Sequence, residues 1–194
     1  MRTQPGLIFV ISGPSGSGKT TLLKKVLLHK ALRSKLSKSI SVTTRPKRSG
    51  ERQGKDYFFV SPLEFLRLAK AKKILEQTKY LGYYYGTKKD FLEGKLKEGK
   101  HLALCLDLRG ARTLKRLYSK NTVTVFVLPP SLKELRKRIE GRCQDTKSEE
   151  IDRRVKLAKG EFRQASQYDY VLRNKDLAQT VNRLKAIILK ETGS

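Results

Sequence analysis

The chain has 194 residues, enough to bury a substantial core in one domain with subdomains, and its composition excludes a fibrous or disordered class. Lys and Arg number 44 against 18 Asp and Glu, a formal net charge of +26 spread along the whole chain rather than gathered in a tail. Such a field attracts polyanions, RNA included, and steers small phosphorylated substrates; no RNA-reading motif accompanies it, so the charge admits nucleic acid as a partner without favouring it. The first element is the apolar run Leu7-Ile8-Phe9-Val10-Ile11, which reads as a buried strand. Five residues are too few for a secretory h-region or a membrane span, so a soluble cytoplasmic protein is expected, with no membrane partner and with Cys105 and Cys143 as reduced thiols outside any zinc spacing.

The strand runs directly into Gly13-Pro14-Ser15-Gly16-Ser17-Gly18-Lys19-Thr20, which fits G-x-x-x-x-G-K-[ST] in the strand-loop-helix setting that the pattern requires. The glycines let backbone N–H groups converge on anionic oxygens, and the helix beginning near Lys19 adds the positive end of its dipole. Lys19 is expected to reach the β- and γ-phosphates, and the Thr20 hydroxyl to sit on Mg²⁺; Thr21 continues the nucleotide-binding turn.

From Ser39 to Thr87 the α/β rhythm breaks. Ser39 to Thr44 and Asp56 to Val60 read as short strands separated by the polar loop Arg45 to Lys55, and Tyr83-Tyr84-Tyr85 is a third β-prone piece, together an inserted and partly antiparallel subdomain. Between and beyond these, Leu102 to Leu106 and Val123 to Leu128 are near-continuous apolar strands alternating with helical segments, which favours a mainly parallel sheet flanked by helices. Helix starts are marked at Ser61-Pro62-Leu63-Glu64, Ser131-Leu132-Lys133-Glu134, Thr146 and Asp176.

The phosphate loop alone leaves motors, GTPases, ATPases and small-molecule kinases open. Thr43-Thr44-Arg45-Pro46-Lys47-Arg48-Ser49-Gly50-Glu51, Gly54-Lys55-Asp56-Tyr57, Leu75-Glu76, Gly82 to Thr87, Asp107-Leu108-Arg109-Gly110, Pro129-Pro130-Ser131 and Tyr168-Asp169-Tyr170, in that order behind the loop, resemble the guanylate kinase family over nearly the whole chain. The resemblance implies an α/β fold: a P-loop NTPase core (about 1–38, 88–130 and 165–194), an inserted mixed α/β GMP-binding subdomain (about 39–87) and a helical lid (about 131–164). It implies Mg²⁺-dependent transfer of the ATP γ-phosphoryl to GMP or dGMP.

The same resemblance assigns Arg45, Arg48, Tyr57 and Tyr85 to the monophosphate, and Ser41, Glu76 and Thr87 to the guanine. A carboxylate at position 76 suits guanine because N1–H and the 2-amino group are adjacent donors, whereas adenine presents an acceptor at N1. Arg138, Arg142 and Arg154 are implied as lid arginines that stabilise the transferring phosphoryl, with Arg136, Lys137 and Arg153 left to solvent, and Asn174 matches a family position beside the adenine of ATP. Two departures stand out. The lid between Arg142 and Arg154 is one residue longer than the commonest spacing, and Cys105 occupies the earlier of two usually acidic positions, leaving Asp107 with a structural or base-contacting role and Thr20, the phosphates and water to hold Mg²⁺. The rival readings are an RNA-binding or scaffold protein on the same fold, against which the intact Lys19 and Thr20 speak, and a kinase for another monophosphate, which Glu76 disfavours.

Overall fold

The computed structural model describes residues 5–141 and 148–193. Its organising element is β1 (Ile8–Ser12), buried at every position. Because successive side chains on a strand point to opposite faces, Phe9 and Ile11 enter one core cluster and Ile8 and Val10 the other. The same double burial explains the apolar runs of β7 (His101–Cys105) and β8 (Thr122–Leu128), which flank β1 in parallel register. With β2 (Leu36–Lys38) and β9 (Tyr170–Arg173) at the edges, the order is β2-β7-β1-β8-β9, all pairs parallel.

Helices cover both faces of this sheet. On one side α1 (Lys19–Leu27) and α7 (Leu177–Glu191) bury Leu22, Leu23, Val26, Leu184 and Ile188. On the other, α3 (Lys89–Lys97) and α4 (Leu108–Leu117) bury Leu92, Leu96, Ala111 and Leu114. The predicted caps at Ser61 and Ser131 form: each hydroxyl accepts the N–H three residues on, opening α2 (Pro62–Lys70) and α5 (Leu132–Glu140). Asp176 caps α7 in the same way through Gln179. Helix α6 (Ser148–Phe162) packs on α5 through Leu135, Ile139, Ile151 and Ala158; the start expected at Thr146 lies outside the described residues.

A second sheet carries β3 (Ser41–Thr43), β4 (Phe58–Phe59), β5 (Ile74–Tyr80) and β6 (Tyr83–Lys88) in the order β4-β3-β6-β5. Its pairs are antiparallel except β3 with β4. The strand expected over Asp56 to Val60 shrinks to Phe58 and Phe59, because Asp56 turns back to accept the Arg52 N–H at 2.9 Å and so closes a loop. The strand β5 was not expected from the sequence at all, and it carries the centre of the site.

Candidate active site

The carboxyl ends of β1 and β7 open into a cavity of about 740 Å³ whose opposite wall is the second sheet. The phosphate loop forms one end. Gly18, at φ 96°, begins α1 in the left-handed region, and a β-carbon there would stand 2.4 Å from Asn174 Nδ2, so both backbone freedom and space require glycine. Asn174 is buried, and its amide donates to the Ser17 carbonyl at 2.8 Å. This side chain thus braces the loop from behind; it is not part of the cavity wall, unlike Gly13, Ser15, Gly16, Gly18, Lys19 and Thr20. Pro14, Ser17 and Thr21 also lie off the wall. The Lys19 ammonium donates to the carbonyls of Gly13 and Pro14, which holds it inside the loop where nucleotide phosphates would arrive.

The far end is cationic and aromatic. Arg45 is buried; its guanidinium donates to both Glu51 carboxylate oxygens at 2.8 and 2.9 Å and lies 5.5 Å from the Tyr57 ring centre and 5.8 Å from that of Phe59. Glu51 also accepts the Arg48 backbone N–H at 2.9 Å, so one carboxylate sets the shape of the loop that carries both arginines. The Arg48 side chain is exposed on the cavity wall. Tyr57 and Tyr85 pack edge to face at 6.2 Å, and burial raises the Tyr57 hydroxyl to about 12, keeping it a neutral donor. Tyr84 stacks on Phe65 and is not on the cavity wall, whereas Tyr83 is exposed on it.

Between the two ends, Glu76 on β5 is only 4% exposed. Its Oε1 accepts the Thr87 hydroxyl at 2.7 Å, while Oε2 is buried with no partner. Burial, with a contribution from the Asp107 charge, pushes the Glu76 carboxyl up to about 7 against the opposing Thr87 bond. A buried carboxylate oxygen without a donor is costly in a bare protein, and it marks where a ligand donor belongs. Ser41 and Asp107 line the same cavity.

Cys105 lines it too, as a free thiol raised by burial against the pull of Lys19 and Lys38, so it is neutral and supplies no negative charge. The Thr20 hydroxyl is an oxygen donor on the cavity wall of the kind Mg²⁺ takes; no group of three His, Cys, Asp or Glu that could hold a metal ion occurs among the described residues.

The arginines expected in a lid divide. Arg154 on α6 lines the cavity, ion-paired to Glu150, with its Nε buried and unpartnered. Arg138 on α5 is outside the cavity wall and donates to Glu134 at 3.0 Å on its own helix. Arg142 lies outside the described residues. Arg136, expected in solvent, keeps its side chain 43% exposed and forms surface ion pairs with Glu140 and, across to α6, with Asp152.

Among the wall residues that carried no expectation are Lys38, Thr78, Tyr80 and Glu161. Thr78 and Tyr80 follow Glu76 at period two on one strand face, and Glu161 follows Arg154 by two helical turns, so both spacings were available as signals.

A family model described as guanylate kinase matches residues 6–191 of the chain. The chain belongs to the guanylate kinase family. It is 42% identical to a guanylate kinase of Wolbachia pipientis wMel over 186 residues, 96% of this chain and 90% of that protein. It is 44% identical to a guanylate kinase of Mycoplasma genitalium over 96% of this chain and 76% of the relative. The crystal structure of guanylate kinase from Anaplasma phagocytophilum superposes with a TM-score of 0.82 at 34% identity, covering all of this chain and 90% of that one. Among the described residues no helix is long and apolar enough to cross a membrane.

Proposed function

We propose that this cavity performs ATP:GMP phosphoryl transfer, giving ADP and GDP, or dGDP from dGMP, with the phosphate loop as donor end and the second sheet as acceptor end. The observation that carries the reading is the unpartnered, buried oxygen of Glu76 within the same cavity as the phosphate loop. Guanine offers two adjacent donors to that carboxylate, and Thr87 and Ser41 complete its surroundings. Adenine would set its N1 acceptor against the same oxygen, a repulsive arrangement that rejects AMP.

The Arg45 and Arg48 forks, with the neutral Tyr57 and Tyr85 hydroxyls, receive the monophosphate. Lys19 and the loop N–H groups receive the β- and γ-phosphates, with Asn174 holding the loop to its shape. Mg²⁺, bound with ATP and held through Thr20, would neutralise charge on the β- and γ-phosphates. An α-phosphate oxygen of GMP attacks the γ-phosphorus in line; the bond from the γ-phosphorus to the β,γ-bridging oxygen breaks, and ADP leaves. No protein nucleophile is needed, and catalysis consists of alignment and charge stabilisation by Lys19 and Arg154, with Arg138 and Arg142 joining from the lid. Approach of the lid to the acceptor sheet excludes water and suppresses ATP hydrolysis.

ADP formation from ATP, measured in a coupled assay with GMP, AMP, UMP and CMP offered separately, tests the reading. GMP is expected to give turnover far above the other three; equal turnover with any of them contradicts it.

A further inference from the structure

A carboxylate bridges the two sheets. Asp107 follows β7 in the parallel sheet and caps α4, its Oδ1 accepting the Gly110 N–H at 2.9 Å. Its Oδ2 accepts the Thr78 hydroxyl at 2.7 Å, and Thr78 belongs to β5 of the other sheet. Both oxygens of Asp107 are therefore engaged within the protein. Glu76 lies two residues before Thr78 on the same face of β5, and a β-carbon at Gly110 would stand 2.8 Å from Glu76 Oε2. The first turn of α4 is thus tied to β5 at Thr78 and abuts the carboxylate at Glu76.

We propose that Thr78 is a positioning residue for base recognition: through Asp107 its hydroxyl fixes how closely α4 approaches β5, and so holds the unpartnered oxygen of Glu76 where the base edge arrives. This rests on the reading of Glu76 as the residue that meets guanine. Thr78 is 8% exposed, and its hydroxyl is committed to Asp107. Valine keeps the shape and removes the donor, which leaves Asp107 Oδ2 short of a partner and frees the helix start to shift; serine keeps the donor.

Steady-state kinetics of T78V, T78S, E76Q and the T78V/E76Q double variant test this, with thermal unfolding to show that each is folded and T78A in reserve should T78V not fold. T78V is expected to raise KM for GMP about tenfold while KM for ATP moves by less than about twofold, and T78S to restore wild-type values within about twofold. In the E76Q background T78V should add little, since both act on one contact. An unchanged KM for GMP in T78V, a T78S variant as impaired as T78V, or fully additive costs in the double variant overturn the proposal while E76Q alone remains impaired. A neutral E76Q instead overturns the reading of Glu76, and the proposal with it.

Discussion

Glu76 illustrates how one residue can serve recognition at the expense of the unliganded fold. Its carboxyl is raised to about 7, above the 4.5 of an exposed glutamic acid, chiefly by burial. The folded state therefore holds the proton more tightly than the unfolded state, and the resulting stability is fully present below pH 4.5 and lost as pH rises through 7. At pH 8 the free protein carries a buried carboxylate with one unpartnered oxygen. E76Q is expected to raise unfolding stability there by roughly 2–3 kcal/mol, read as a higher midpoint in thermal unfolding, with the gain shrinking as pH falls below about 7 and gone near 4.5. A lower midpoint at pH 8 would contradict the burial argument. Function runs the other way. The base donors require the ionised form, so kcat/KM for GMP should fall as pH drops below about 7, and this limb should be missing in E76Q. Of the site residues, those embedded in strong local patterns were legible in the sequence: Lys19 and Thr20 from the loop, Arg45, Arg48, Tyr57 and Glu76 from the family order. Glu51 stood inside that ordered motif, yet its two-sided hold on Arg45 and Arg48 depends on how the loop closes, which residue order alone does not determine.

The elements that could be read in advance are those whose residues serve packing alone. β1, β7 and β8 are apolar on both faces because helices cover both faces, and the helices open at hydroxyl or carboxylate caps. β5 escaped notice for the opposite reason. Its inward positions are Glu76 and Thr78, polar because they serve the site, so the alternation that marks a half-buried strand is disguised by function. β2 is three residues long and sits at an edge, below the length at which periodicity speaks. At this scale the Ser131 cap is testable: its hydroxyl accepts the Glu134 N–H at 3.1 Å at the start of α5, the helix on which α6 packs. S131A should cost about 1 kcal/mol in denaturant unfolding. A cost near zero would mean that α5 is held by its packing against α6 and the phosphate loop alone.

At the scale of the whole molecule a parallel five-stranded sheet, a second four-stranded sheet and helix α6 surround one cavity, α6 bringing Arg154 and Glu161 to its wall. The net charge of +26 fits this use, since both substrates are anionic and a positive field speeds their encounter. The scaffold and nucleic-acid readings find no support in the family match, and the intact phosphate loop is what a phosphoryl-transfer enzyme needs. On the proposed function, Glu76 makes the acceptor end of this cavity selective for guanine. The direct measurement is the ratio of kcat/KM for GMP to that for AMP, taken at pH 8 with saturating ATP in the wild type and in E76Q. A strong preference for GMP in the wild type that falls by about tenfold or more in E76Q, through loss of GMP use with ATP kinetics preserved, is the predicted result. An unchanged ratio in E76Q, or a wild type that uses AMP as well as GMP, would contradict it.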